Sequence, residues 1–159
     1  MTIKIICVGK IKESYFRGAV EEYTKRLGRY CRLTIVECAD EKTPDGASAE
    51  TERAIKRTEG ERILRQIRDN DYCIALAIQG KSMSSEKMAA RLDGLMNAGK
   101  SSVVFIIGGS VGLSQKVLDL SKERISFSKL TFPHQLMRVI FLEQLYRWFK
   151  IERGEPYHK

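Results

Sequence analysis

A run of apolar and β-branched residues at positions 103–107 ends abruptly in two glycines, Gly108 and Gly109, and a third glycine, Gly112, follows three residues later. This pattern predicts a buried strand that ends in a loop whose backbone can approach a ligand closely, because glycine has no Cβ. In open α/β sheets, ligands bind at the carboxyl ends of such strands. The segment therefore indicates a small-molecule site before any side chain is considered.

Segments with strand character alternate with segments of helical character along the whole chain. Strands are predicted at residues 2–8, 32–38, 72–78, 102–107 and 124–128, and helices at residues 14–27, about 48–68, 85–98, 114–121 and 132–152. This alternation is typical of an α/β fold with a mostly parallel sheet flanked by helices. The chain has 159 residues and no repeat or linker, so a single domain over residues 1–159 is expected.

Residues at the ends of these elements refine the prediction. Ser14 and Ser114 are candidate helix N-caps, and Pro133 suits the first position of the last helix. Residues 79–82 are expected to form the loop after the third strand. Residues 155–159 are expected to form a short tail without anchoring contacts, as is common at chain ends.

The composition excludes several classes of protein. A hydrophobic content of 43% and a charged content of 30% are typical of a soluble globular chain. No apolar run approaches the roughly 18 residues of a membrane span, and the start of the chain is strand-like rather than a signal peptide. We therefore expect a cytoplasmic protein with no membrane partner. The four cysteines form no CxxC pair and only two histidines are present, so buried reduced thiols and no metal site are expected.

The charge balance is basic. Lysine and arginine number 28 against 20 acidic residues, which gives a net charge of +8 and makes a polyanionic partner plausible. Arg138, Arg147, Lys150 and Arg153 on the predicted last helix are candidates for phosphate contacts. The charges of residues 48–68 are expected to form a solvated helix face. Charge alone favours nucleic acid only slightly.

Two glycine motifs fail as nucleotide signatures. Residues 94–101 match GxxxxGK[ST], but a P-loop needs a strand before it and a helix after it, and here the predicted order is reversed. The loop at 108–112 lacks GxGxxG spacing, because Ser110 occupies the second glycine position, and residues 125–134 offer no acidic residue for a ribose. Taken alone, this loop is equally consistent with a bare tight turn and with a ligand loop.

The surroundings of the glycine loop add weight to a ligand site. Residues 125–134 run from a short strand into a polar and aromatic loop, which would form the other wall of one crevice. With the outlet of strand 72–78, three strand ends are expected to converge on one ligand. His134 is interpreted equally as a structural cap residue or a substrate contact. Tyr157 and His158 are candidate functional residues, since a free tail has little structural reason to carry them.

Three segments together resemble a known family. They are FIIGGSVGL at residues 105–113, SFSKLTFPHQLMRVIFLEQLYR at residues 126–147 and RGEPYHK at residues 153–159. The chain resembles, over its whole length, the ribosomal RNA large-subunit methyltransferase H family, which are small enzymes of the SPOUT class. The combination of the three segments is specific to that family.

The resemblance implies transfer of a methyl group from S-adenosylmethionine to N3 of a pseudouridine in 23S rRNA, within assembled ribosomes. It also implies a C-terminal trefoil knot and a homodimer, with the ribosome as partner and no DNA. The implied cofactor contacts are Leu76, Gly108, Phe127, Ser128, Lys129, Leu130, Thr131 and Phe132. Tyr157, His158 and Arg153 are available for catalysis at the N3 proton, and which of them removes it stays open.

Two other functions are kept as alternatives. A non-enzymatic basic module that binds RNA or the ribosome suits the charge and the tail equally well. A nucleotide-binding oxidoreductase is weaker, because of Ser110 and the missing acidic residue.

Overall fold

A computed structural model describes all residues 1–159, and strands and helices alternate along them. The elements are β1 (Thr2–Val8), α1 (Ser14–Leu27), β2 (Arg32–Cys38), α2 (Ala49–Leu64), β3 (Tyr72–Ser82), α3 (Ser85–Asn97), β4 (Ser102–Ile107), α4 (Gln115–Leu120), β5 (Glu123–Ser126) and α5 (His134–Glu152). The five strands form one sheet in the order β2-β1-β4-β3-β5, and every pairing is parallel. The predicted α/β class with flanking helices is confirmed.

The helices cover the two faces of this sheet in two groups. Alternate residues of β1 point to opposite faces, so Ile3 and Ile5 pack in the core with α1, α3 and α5, whereas Ile6 and Val8 pack with α2 and α4. Connections through α1 and α3 move toward the β2 edge, and connections through α2 and α4 move toward the β5 edge. Each direction uses one face, as expected when all crossovers share one hand.

Several predicted element ends are wrong. The α1 helix begins at Ser14 itself, with Glu13 at the cap position and no side-chain cap hydrogen bond. Pro133 occupies the cap position of α5 rather than its first helical position. The prediction for Ser114 is confirmed, since its hydroxyl accepts a hydrogen bond from the Val117 N–H. The α2 helix ends at Leu64, earlier than its apolar residues suggested.

The third strand is longer than predicted. Residues 79–82, expected to be a loop, belong to β3 and pair with β5 after an irregularity at which both Leu76 and Lys81 oppose Ile125. The apolar signal ends at Ile78, and the polar extension is a strand only because β5 pairs with it. Such long-range pairing leaves no trace in local hydropathy.

The charged and sulfur-containing side chains follow the predictions with two exceptions. All four cysteines are free and buried. The charges of α2 are solvent-facing except for Glu59, which is 2% exposed. Arg138 is 1% exposed and pairs with Glu37 at 2.6 Å, so its predicted phosphate contact is wrong. None of the helices is both long and apolar enough to cross a bilayer.

We predict that Gly80→Ala destabilises the fold by about 1–3 kcal/mol, because the new Cβ would overlap main-chain atoms of Ile125 at 2.5–2.7 Å. Gly94→Ala is the matched control, because Gly94 lies in α3 with nothing within 4 Å of its Cβ position. Removing a glycine from that helix interior should stabilise by roughly 0.5–1 kcal/mol. Urea unfolding of both variants measures the difference. Equal stability of the two would show that β3 and β5 do not approach closely at Gly80.

Candidate functional site

Two strands, β4 and β5, end beside Leu76 in the middle of β3. Leu76 of β3 pairs with Ile107 on one side and with Ile125 on the other. Gly108 directly follows Ile107, and Phe127 follows the end of β5. The ends of β4 and β5 lie on either side of β3, as expected, whereas β3 itself continues to Ser82 and has no loop at this level.

The glycine loop, residues 108–112, is folded tightly on itself. The Gly112 N–H donates to the Gly109 carbonyl at 3.1 Å, and Gly112 has a positive φ of 85°. A Cβ at Gly108 would lie 2.9 Å from the Gly112 carbonyl carbon, and a Cβ at Gly109 would lie 3.0 Å from Val8. Gly108 is therefore needed for the loop's own closure, and Gly109 is needed for the loop to pack against β1 and α2.

The second loop, residues 127–132, is fixed at both ends and exposed between them. Phe127 packs on Phe141 with ring centroids 6.0 Å apart, and Phe132 is half-buried. The Ser128 hydroxyl accepts a hydrogen bond from the Leu130 N–H at 2.9 Å, which holds the tip in a turn. Lys129, Leu130 and Thr131 face solvent, and Leu130 is 71% exposed. An apolar side chain this exposed at a strand end is suited to covering a flat ligand.

A cavity of about 310 Å³ lies between α3, α5 and the second loop. Phe127 and Phe132 line it, together with Trp148 of α5 and Ser85 at the start of α3. Leu76 and Gly108 do not line it. The eight residues expected to contact a cofactor therefore divide between this cavity, the exposed tip and the strand ends.

The C-terminal tail is anchored, which corrects the expectation of a free end. The Tyr157 hydroxyl donates to the Glu143 carboxylate at 3.0 Å. His158 lies with Nε2 2.8 Å from Glu86 and Nδ1 3.3 Å from Arg147. Because an arginine only donates and a carboxylate only accepts, a neutral imidazole with its proton on Nε2 satisfies both contacts.

The environment of the tail shifts the pKa values of Tyr157 and Glu86. Burial, followed by hydrogen bonding with Tyr23 and Glu143, raises the pKa of Tyr157 above its usual value, so the phenol is a donor at neutral pH. Hydrogen bonds from its own backbone N–H, from Ser84 and from His158 lower the pKa of Glu86 to about 2, so it remains a carboxylate.

Arginine placement differs from the sequence prediction. Arg153 does not join Tyr157 and His158; its guanidinium lies 4.7 Å from the ring centroid of Tyr30 and is exposed. The arginine beside both tail residues is Arg147, which also pairs with Glu143. Sequence reasoning missed Arg147, Glu143 and Glu86 as members of this cluster. The i,i+4 spacing of Glu143 and Arg147 was the available signal.

The predicted phosphate contacts of α5 are mostly engaged within the protein. Arg147 pairs with Glu143, and Lys150 pairs with Glu155 at 2.6 Å. Of the four cations proposed for this role, only Arg153 has an exposed side chain without an acidic partner.

A chain of hydrogen bonds connects the tail to the cavity. The Gln144 amide donates to Glu143 at 2.8 Å, and Ser85 donates to Gln144 at 2.6 Å. Ser85 and Gln144 both line the cavity. The tail's side-chain hydrogen bonds all go to the layer that contains α1, α3 and α5, whereas the glycine loop packs against α2 on the other layer.

His134 has a packing role in the structure. Its ring lies against Gly9, where a Cβ would come 2.7 Å from the imidazole Cε1. Burial, followed by the charge of Arg138, lowers the pKa of His134, so the ring is neutral at pH 7. It makes no cap hydrogen bond, so the interpretation as a cap residue is wrong. Contact with a substrate stays a prediction.

Comparison with known proteins places the chain in a family. Residues 1–158 match the family model described as a predicted SPOUT methyltransferase. Two similar proteins, from Clostridium novyi and Bifidobacterium adolescentis, are 57% and 58% identical to this chain over 159 residues, which is the full length of each protein. Both carry the name ribosomal RNA large subunit methyltransferase H.

The fold is also found among solved structures. A probable methylase family protein from Haemophilus influenzae superposes with a TM-score of 0.52 at 15% identity, covering 99% of this chain and 70% of that one. At this identity the likeness concerns the fold alone. The full-length matches in sequence show that the chain belongs to the SPOUT methyltransferase family, among the large-subunit ribosomal RNA methyltransferase H proteins.

Proposed function

We propose that this protein transfers a methyl group from S-adenosylmethionine to N3 of a pseudouridine in 23S rRNA of the assembled ribosome. The observation that carries the proposal is the end-to-end similarity, above 50% identity, to proteins named as large-subunit rRNA methyltransferases. The net charge of +8 suits an RNA substrate. A non-enzymatic RNA-binding module is not favoured, because these relatives of the same length are named as enzymes.

Support for S-adenosylmethionine as the methyl donor comes from the residues that lie around the ends of β4 and β5. Leu76, Gly108 and the loop at Phe127–Phe132 would hold it, with the exposed Leu130 as an apolar cover for the adenine and backbone groups as hydrogen-bond partners. The glycine loop brings main chain, free of side chains at Gly108 and Gly109, to this edge. When bound, the cofactor supplies an electrophilic methyl group on a sulfonium sulfur.

The tail is assigned to the substrate base. Tyr157 keeps its proton at neutral pH, and if it released Glu143 it could donate to a carbonyl oxygen of the base and stabilise the anion that forms when N3 loses its proton. His158 has its acceptor nitrogen facing Arg147 and its N–H facing Glu86. To accept the N3 proton, His158 must therefore exchange Arg147 for the substrate. Arg153, exposed at the end of α5, is available for a phosphate.

We extend the proposal to the assembly. The family implies a trefoil knot in the C-terminal part, a homodimer and a cytoplasmic location, where ribosomes are assembled. Support for a dimer comes from the separation of the tail from the glycine loop, which pack on opposite layers of one chain. In a two-fold dimer, the tail of one subunit would lie over the cofactor crevice of its partner. Exposed apolar side chains at Tyr15 and Ile78 offer surface for such contacts.

We predict that Gly108→Val weakens S-adenosylmethionine binding by about tenfold or more, because the side chain would displace the Gly112 carbonyl and open the loop. Isothermal titration calorimetry measures the affinity. Gly94→Val is the matched control, since its Cβ position on α3 is open, and it should bind as the wild type does. Unchanged affinity of Gly108→Val in a folded protein would rule out the glycine loop as part of the cofactor site.

We further predict that the protein methylates intact ribosomes more efficiently than separated large subunits, with the modified nucleotide mapping to a 23S rRNA pseudouridine by mass spectrometry. Tyr157→Phe and His158→Ala should retain cofactor binding and lose methyl transfer by about 100-fold or more. Lys159→Ala, a change at an exposed neighbour, should retain activity.

Mixing Gly108→Val with Tyr157→Phe subunits distinguishes a tail that acts on the partner's crevice from a tail that acts on its own. A tail that acts on the partner's crevice restores activity in mixed dimers, because one of the two sites then has an intact loop and an intact tail. Absence of any restoration after verified subunit exchange would place the tail over its own crevice. Methyl transfer by a protein that lacks the tail would remove the tail from the mechanism.

A further inference from the structure

A buried carboxylate stands directly behind the glycine loop. Glu59 of α2 is 2% exposed, and it and Arg138 are the only charged residues that are buried over the whole residue. Its Oε2 accepts a hydrogen bond from the Glu41 N–H at 3.0 Å, whereas its Oε1 has no hydrogen-bond partner within the protein. A buried carboxylate with one unpartnered oxygen costs stability unless another interaction offsets it, so its presence calls for a reason.

Glu59 contacts the start of the loop, and Gly60 contacts Ser114, which follows the end of the loop. A Cβ at Gly109 would lie 3.1 Å and 3.3 Å from the two carboxylate oxygens of Glu59, so the carboxylate is in close contact with the loop backbone. Gly60 is packed closely on Ser114, the N-cap of α4. A Cβ at Gly60 would overlap the Ser114 hydroxyl. A third contact joins Ser110 to Thr43, with hydroxyl oxygens 3.2 Å apart.

The charge of Glu59 is not neutralised by a contact with a cation. Arg62, the nearby cation, donates its hydrogen bonds to the Glu41 carboxylate and the Ala39 carbonyl. Burial, followed by the neighbouring charge of Asp40, raises the pKa of Glu59. A positive charge placed across the loop would interact strongly with the ionised form of Glu59, because the surroundings are poorly solvated, and would favour its ionisation.

We propose that Glu59 is a specificity-determining residue that makes the site prefer the cationic methyl donor over its neutral product. The inference rests on the proposed function, because it takes the glycine loop as a wall of the S-adenosylmethionine site. In the transfer, the sulfur–methyl bond breaks, the sulfur keeps the electron pair, a nitrogen–methyl bond forms and the N3 proton leaves. The sulfonium thereby becomes a neutral thioether. Apart from one methyl group, this charge is the only difference between donor and product. The ionised carboxylate of Glu59 distinguishes the two by this charge.

The preference has a consequence for turnover. A carboxylate that attracts the sulfonium gives S-adenosylmethionine an advantage in binding and releases S-adenosylhomocysteine once the charge has gone. Product inhibition is reduced without any group that touches the thioether. A neutral hydrogen-bonding residue at the same place would bind donor and product alike.

Calorimetry with S-adenosylmethionine and S-adenosylhomocysteine tests the inference on the full-length protein. Glu59→Gln keeps the shape and removes the charge. We expect the ratio of donor to product affinity to fall by about tenfold, through loss of donor affinity, while product affinity changes by less than about threefold. Glu61→Gln, the same substitution at an exposed position on α2, should leave both affinities unchanged.

Two further variants separate charge from loop geometry. Gly60→Ala displaces Ser114, just beyond the loop, without changing any charge, so it should weaken both ligands by the same factor. Glu59→Asp keeps the charge, so it should preserve the affinity ratio even where both affinities fall, and it serves if Glu59→Gln does not fold. An equal loss for both ligands in Glu59→Gln, or loss of the ratio in Glu59→Asp, would overturn the inference.

The outcome is distinguishable from failure of the proposed function. A wild-type protein that binds neither ligand would refute the cofactor assignment itself and the inference with it. A protein that binds both ligands with the expected Glu59 effect, but does not methylate ribosomes, would retain the inference and refute the RNA substrate.

Discussion

Parallel pairing of the strands is the constraint on which the rest of this structure depends. A parallel sheet needs a crossover between successive strands, and each crossover covers one face of the sheet. The strands are consequently apolar on both faces, as in β4, where every residue from Val103 to Ile107 is buried. Parallel direction also places all carboxyl ends at one edge. The loops after β4 and β5 thus lie on either side of β3, close to Leu76.

The sequence was sufficient for the alternation of strands and helices and for the end of β4, because both follow from local signals. Buried strands are apolar runs, and glycine marks where they stop. The extension of β3 through Ser82 was not predictable in this way, because its polar residues are ordered by pairing with β5. The anchoring of the tail was equally hidden. The contact between His158 and Glu86 joins the tail after α5 to the first turn of α3, and a chain end carries no periodicity that would indicate it.

The candidate functional residues also divide into those that local sequence signals reveal and those that only long-range contacts reveal. Gly108 was singled out by its position after a strand, and Leu76 and Phe127 to Phe132 came from family resemblance. Glu59 could not be found by either route, because in sequence it is one of many charges on α2. Its burial appears only when the glycine loop packs against it. The same holds for Arg147, whose charge looked available for RNA and is instead shared with Glu143 and the tail.

The central position of β1 has a consequence for how the chain folds. β1 is the first strand to be synthesised, yet one of its two neighbours is β4, and the register pairs Ile5 with Phe105. The middle of the sheet therefore cannot close until most of the chain is available. Pairings with such sequence separation are slow to form, because chain closure precedes any favourable contact. Until β4 arrives, the edge of β1 and its isoleucines stay open to other chains, so a nascent or refolding chain is most at risk of aggregation at its N-terminal strand.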